Sequence, residues 1–117
     1  MKRLLPLLIC VWVLPIAAAP KGDWKDIDVT LEEGQVFEHC AAVAAGGKRR
    51  YHWKSNAPVD FNIHYHEDPE VLYPVKRDGM RGDGGTFTAR KPQEYCWMWT
   101  GRKTTAHVEG QVEIKPE

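Results

Sequence analysis

From Ile27 onward, apolar and polar residues alternate in short runs, and Gly, Pro, Asn and Asp interrupt them every few positions. A period of two belongs to strands with one buried face. The runs predict strands over residues 27–31, 36–43, 50–54, 59–66, 71–75, 85–89, 95–100 and 106–114. No window carries a helical stripe of useful length, and the alanine-rich stretch 40–45 runs straight into Gly46-Gly47. About eight short strands and no helix predict an all-β antiparallel β-sandwich. The longest loop is expected over 76–84, where Asp78-Gly79 and Gly82-Asp83-Gly84-Gly85 supply turn chemistry.

Parity divides each run between two faces, because successive strand side chains point to opposite sides. Phe61, Ile63 and Tyr65 oppose Asn62, His64 and His66; Tyr51 and Trp53 oppose His52. Ala106, Val108, Val112 and Ile114 oppose His107, Glu109, Gln111 and Glu113. Tyr95, Trp97 and Trp99 oppose Cys96 and Met98, and Cys40 shares its parity with Glu38. With the bulky faces inward, four of the five histidines point outward. The reverse assignment has the same periodicity: Cys96 and Met98 inside, Trp97 and Trp99 as an exposed aromatic platform.

Residues 1–18 alter this picture, since Lys2 and Arg3, an apolar stretch and Ala17-Ala18-Ala19 have the order of a secretory signal, cleaved after 18 or after 19. The remainder, 19–117, reads as one domain, periplasmic or secreted, with no transmembrane anchor. Its 16 basic residues equal its 16 acidic ones before processing, and loss of Lys2 and Arg3 leaves a formal charge of about −2. That balance disfavours nucleic acid as a partner, and Lys48-Arg49-Arg50 beside Gly46-Gly47 reads as a solvated turn. Outside the leader two cysteines remain, Cys40 and Cys96, and in an oxidising compartment such a pair is expected to form a disulfide. A small core gains much from it, about 4 kcal/mol on a loop-entropy basis.

The sharpest chemistry is His64-Tyr65-His66. Two imidazoles two apart on a strand project from one face at a spacing that can grip a single metal ion. Met98, with His52 and His107 as further additions, would complete a site suited to copper. The plain alternative is a polar, solvated strand face with Met98 as packing filler. Glu67-Asp68-Pro69-Glu70 lacks the spacing of a calcium loop and reads as a turn, and Arg81-Gly82-Asp83 is a chance triplet in a glycine-rich stretch. No catalytic residue is assigned. Ser55 is the single serine and sits in Lys54-Ser55-Asn56-Ala57-Pro58 without a neighbouring histidine.

Three short segments resemble the GOLD domain, the β-sandwich head of luminal cargo receptors. They are Glu38-His39-Cys40, the run from Ser55 through Ala57, Pro58 and Phe61 to Ile63, and Gly85-Thr86-Phe87-Thr88-Ala89 before Tyr95-Cys96-Trp97. The resemblance implies a GOLD or jelly-roll-like sandwich, a stand-alone bacterial-type relative, and a Cys40–Cys96 bridge. It also implies an interaction module, while trafficking is not carried over because those receptors continue into a coiled coil and a membrane span. Two functions follow. One is an exported, non-catalytic binding module for a protein or cell-envelope component, without a cofactor. The other is a periplasmic copper-binding or copper-tolerance protein using His64 and His66.

Overall fold

The computed structural model describes residues 23–115, together with residue 3 and residues 9–12. The expected signal segment lies almost wholly outside the described residues. Six strands form the described body: β1 (Asp23–Leu31), β2 (Val36–Val43), β3 (Lys48–Glu67), β4 (Glu70–Thr88), β5 (Gln93–Gly101) and β6 (Ala106–Lys115). They make one antiparallel sheet in the order β1-β6-β3-β5-β2, with β4 along the other edge of β3. The sheet curls into a half-barrel, which corrects the expected eight-stranded sandwich.

The discrepancy lies in β3 and β4, each of which contains two of the expected strands. Residues 55–58 are the corner of one continuous strand rather than a turn. Before that corner β3 pairs with β6 from Tyr51↔Val112 to Ser55↔Val108; beyond it β3 pairs with β5 from Val59↔Gly101 to His64↔Cys96. The register against β4 shifts between Lys54 and Val59 and again between Val59 and Phe61, and such bulges bend a strand. Pro58 is tolerated there because a bulge requires no ladder N–H. Asn56 Oδ1 accepts the His107 backbone N–H at 2.7 Å, tying the corner to β6.

The expected loop 76–84 is the middle of β4. Its glycines serve close approach: a Cβ on Gly82 would stand 3.0 Å from the Trp53 carbonyl oxygen, and one on Gly84 3.1 Å from that of Tyr51. Gly79 alone adopts a left-handed φ of 66° in this stretch, and its N–H donates to Asp60 Oδ1 at 2.8 Å. The same oxygen accepts from Arg102 Nη1 at 2.8 Å.

The curl brings the two halves of the sheet into one aromatic core. Trp97, Trp99, Phe61, Ile63 and Val59 are essentially inaccessible, so the inward assignment of the tryptophans holds. Phe61, beyond the corner, lies 5.6 Å from Tyr51 and 5.4 Å from Trp53, which precede it, and 5.3 Å from Trp99 between ring centroids. Phe87 closes the far side, 4.8 Å from Tyr95 and 5.8 Å from Trp97. Such tilted and edge-on pairs add to the area they bury. The β1–β2 turn packs on Gly101, whose N–H donates to the Gln35 carbonyl at 2.9 Å and whose carbonyl accepts from Gly34 at 3.0 Å.

Two parity expectations need correction at β6. The bulge between Asp23 and Trp24 passes over Ile114, leaving it exposed beyond the core rather than in it. Glu113, on the outer face, is buried: its carboxylate accepts from Arg50 N, Nε and Nη2 at 3.0, 3.2 and 2.8 Å. These Arg50 bonds hold the carboxyl below the ordinary carboxylate range against the opposing effect of burial. Lys48-Arg49-Arg50 is therefore the start of β3, and Arg50 also lies 5.2 Å over the Trp24 ring.

Candidate functional site

The cysteines join as expected. Cys40 and Cys96 are directly opposed in the β2–β5 ladder, with Cα atoms 4.0 Å apart and an S–S bond of 2.09 Å. Both point to the outer face, opposite Trp97 and Trp99, as their parity requires. The adjacent strand sets His64 opposite Cys96 and Asn62 opposite Met98, and β2 sets Glu38 opposite Met98. Three strands thus place Glu38, Asn62, His64 and the disulfide on one patch of the convex surface.

His64 points outward as predicted, yet it is only 4% exposed. Its Nε2 lies 3.0 Å from Glu38 Oε1, its Nδ1 2.7 Å from Asn62 Oδ1, and its ring 5.8 Å from that of Tyr73. Burial pushes the imidazole below its ordinary pKa; Glu38 pulls it back and His66 pushes it further down. Two oxygen acceptors favour the protonated ring, but desolvation outweighs them. His66 is exposed, 5.2 Å from His64 between centroids, and Met98 sits one ladder position along the same face.

The two further histidines lie in the other half of the sheet. His52 faces Gln111 Oε1 at 3.3 Å and the Trp24 ring at 6.2 Å. His107 stands among Thr30, Asp28 and Glu109. The register therefore gathers His64, His66 and Met98 on one quarter of the outer face and leaves His52 and His107 on another. Nothing in the sequence places Glu38 or Tyr73 beside His64, whereas Asn62 shares its face by parity. The shared parity of Glu38 and Cys40 is the only signal for Glu38, and it becomes useful only once β2, β5 and β3 are known to be neighbours.

A second feature is the mouth of the half-barrel, where the two arms of the bent β4 face each other. A groove of about 530 Å³ opens there between Leu72, Pro74 and Val75 on one arm and Thr86, Phe87 and Thr88 on the other, with Tyr65 and Arg90 completing its walls. Tyr65 and Tyr95 pack edge-on at 5.3 Å beneath it. Lys91 sits 4.9 Å over the Tyr65 ring and is ion-paired with Glu67, and the Tyr95 hydroxyl donates to the Lys91 carbonyl at 2.7 Å. The arrangement is an aromatic floor with a cationic rim.

Fold and surface together define a small all-β domain with one cross-strand disulfide. Among solved structures it is similar to the pre-peptidase C-terminal domain of a collagenase from Bacillus anthracis, with a TM-score of 0.59 and 14% identity over 83% of this chain and 100% of that one. It is also similar to a periplasmic inhibitor of g-type lysozyme from Aeromonas hydrophila, with a TM-score of 0.57 and 10% identity over 86% and 93% of the two chains. The Yersinia pseudotuberculosis-derived mitogen gives a TM-score of 0.56 and 10% identity over 82% and 89%. At these identities the likeness is one of fold. No protein-family model and no curated protein matches the chain.

Proposed function

We propose that this protein is an exported, non-catalytic binding module whose partner is a protein or cell-envelope component. The carrying observation is the groove between the arms of β4, a mixed aromatic and polar concavity lined by Tyr65, Tyr73, Phe87 and Arg90 beside a core already filled with side chains. Concavities that combine aromatic surface with polar groups are a usual form of recognition site. Ser55, the only serine, has its Oγ turned back to accept the Ala57 N–H at 3.4 Å, in keeping with a structural role. The disulfide and the absence, among the described residues, of any helix long and apolar enough to cross a membrane are compatible with export. The resemblance of Glu38-His39-Cys40 and Tyr95-Cys96-Trp97 to GOLD domains supports an interaction role as well. The Aeromonas neighbour is an inhibitor of a lysozyme, so g-type lysozyme is the first partner to assay.

The test compares the wild type with Thr86→Lys plus Arg90→Glu, two exposed positions on the groove. Immobilised wild type is expected to retain a reproducible partner from envelope extract, and the variant to bind it at least about tenfold more weakly. Retention of nothing at either low or high salt, or equal retention by both forms, overturns the reading.

A second reading, copper handling, is favoured by the 5.2 Å approach of the His64 and His66 rings on one face, with Met98 nearby. Copper would have to take His64 Nε2 from Glu38. Titration with Cu(II), and with Cu(I) without air, should then show one-to-one uptake that is lost in His64→Ala plus His66→Ala.

A further inference from the structure

We infer that Asp28, His107 and Glu109 form a site for a borderline divalent transition-metal ion, with Zn²⁺ as the ion that fits best. The site is independent of the groove and lies in the other half of the sheet from His64 and His66.

Strand pairing builds it. In the β1–β6 ladder Asp28 stands directly opposite Glu109, and Thr30 directly opposite His107. Two carboxylates directly opposed across a ladder repel each other, and on an edge pair such as this one the repulsion weakens the sheet. A cation placed between them reverses the sign of that interaction. Such a cation would lie between the carboxylates and His107 Nε2, which stands 2.9 Å from Asp28 Oδ1 and 3.2 Å from Glu109 Oε1. The three ligand atoms all lie within 4.8 Å of one another.

The distances accommodate the ion, and the donor set favours it. Ligands held about 2.0–2.2 Å from zinc stand roughly 2.9 Å apart at a right angle and about 3.4 Å apart at a tetrahedral angle. The two separations at Nε2 fall within that interval. One imidazole with two carboxylates suits a borderline ion, whereas calcium requires six to eight oxygens and Cu(I) prefers sulfur.

The surroundings already orient the ligands. Nδ1 of His107 lies 3.0 Å from Thr30 Oγ1, so a proton on Nδ1 donated to that hydroxyl leaves the Nε2 lone pair for the metal. The backbone N–H of His107 is fixed by Asn56 at 2.7 Å. The second oxygen of Glu109 is turned toward Lys54 Nζ at 3.8 Å, leaving Oε1 on the metal side.

Calorimetric titration of the purified protein with Zn²⁺, with Ca²⁺ as control, tests the assignment. One equivalent of Zn²⁺ should bind and raise the unfolding temperature by mass action, and Ca²⁺ should do neither. His107→Ala and Asp28→Asn should abolish both effects; the Asp28 substitution removes a like-charge pair and so leaves the metal-free fold intact. Thr30→Val should keep the stoichiometry and weaken binding about 10- to 100-fold, the signature of a positioning residue. Wild-type uptake no tighter than about 100 µM overturns the proposal. So does uptake that survives His107→Ala, including uptake that disappears only in His64→Ala plus His66→Ala.

Discussion

Replacing both disulfide cysteines by alanine should cost this domain about 4–5 kcal/mol, most of it through the unfolded chain. Cys40 and Cys96 are separated by 56 positions, and closing a loop of that length removes about 14 cal/mol/K from the denatured ensemble, or about 4 kcal/mol at 25 °C. The buried Cys96 sulfur adds roughly 0.5–1 kcal/mol of lost packing. For a domain of this size, each kcal/mol corresponds to about 4–8 °C, so the melting temperature should fall by about 16–40 °C. Urea unfolding of the Cys40→Ala, Cys96→Ala variant checks both the size and the mechanism. If the crosslink acts on the unfolded state, the midpoint falls and the m-value rises, because the uncrosslinked chain exposes more surface when unfolded. If it merely clamps β2, which pairs only with β5, the global transition changes little and β2 amides alone exchange faster. A loss below about 1 kcal/mol with an unchanged m-value would refute the loop-entropy account.

Two other outcomes follow from packing and burial. Gly101→Ala should destabilise by about 1–3 kcal/mol or more, since its Cβ would meet the Glu32 carbonyl oxygen at 2.1 Å; a urea midpoint within error of wild type would show that the β1–β2 turn yields freely. Burial holds His39 and His64 below the ordinary imidazole range, with Lys25 also lowering His39, so the unfolded chain takes up protons first as pH falls. That contribution is complete above the unfolded pKa and is lost as pH drops below about 6.5 toward the folded values. Midpoints measured at pH 7.5, 6.5 and 5.5 should therefore decline, and His39→Gln plus His64→Gln should flatten the decline; an identical slope in the variant would exclude these two rings as its source.

Much of this architecture could be read before any coordinates. Alternation divided β5 correctly into Tyr95, Trp97 and Trp99 against Cys96 and Met98, because a period of two is local and survives any arrangement of neighbours; burial then shows that the tryptophans face inward. Strand count was misread for a local reason as well. Ser55-Asn56-Ala57-Pro58 and the glycines of 79–85 carry turn chemistry, but a turn and a strand corner draw on the same residues. Only the pairing of β3 with β6 on one side of the bend and β5 on the other tells them apart.

The candidate sites were less legible. His64 and His66 share a face by parity alone, so their approach was foreseeable. The burial of His64 was not: Asn62 neighbours it on the same strand, but Glu38 reaches it only through strand order and Tyr73 through the fold-back of β4. By sequence His107 reads only as an accessory ligand, whereas β1–β6 pairing places Asp28 and Glu109 at its Nε2.

By itself the sequence determined an all-strand domain, which side chains of most strands share a face, and Cys40 with Cys96 as a pair suited to an oxidising compartment. The tertiary structure decided that six strands curl into a half-barrel, that β4 doubles back to open a groove, and which outward-facing polar side chains meet. The division is physical: alternation and thiol pairing are properties of short range and of composition. Side chains from Glu38 and His64, or from Asp28 and His107, come within hydrogen-bonding distance only after hydrophobic burial has chosen the strand order and register.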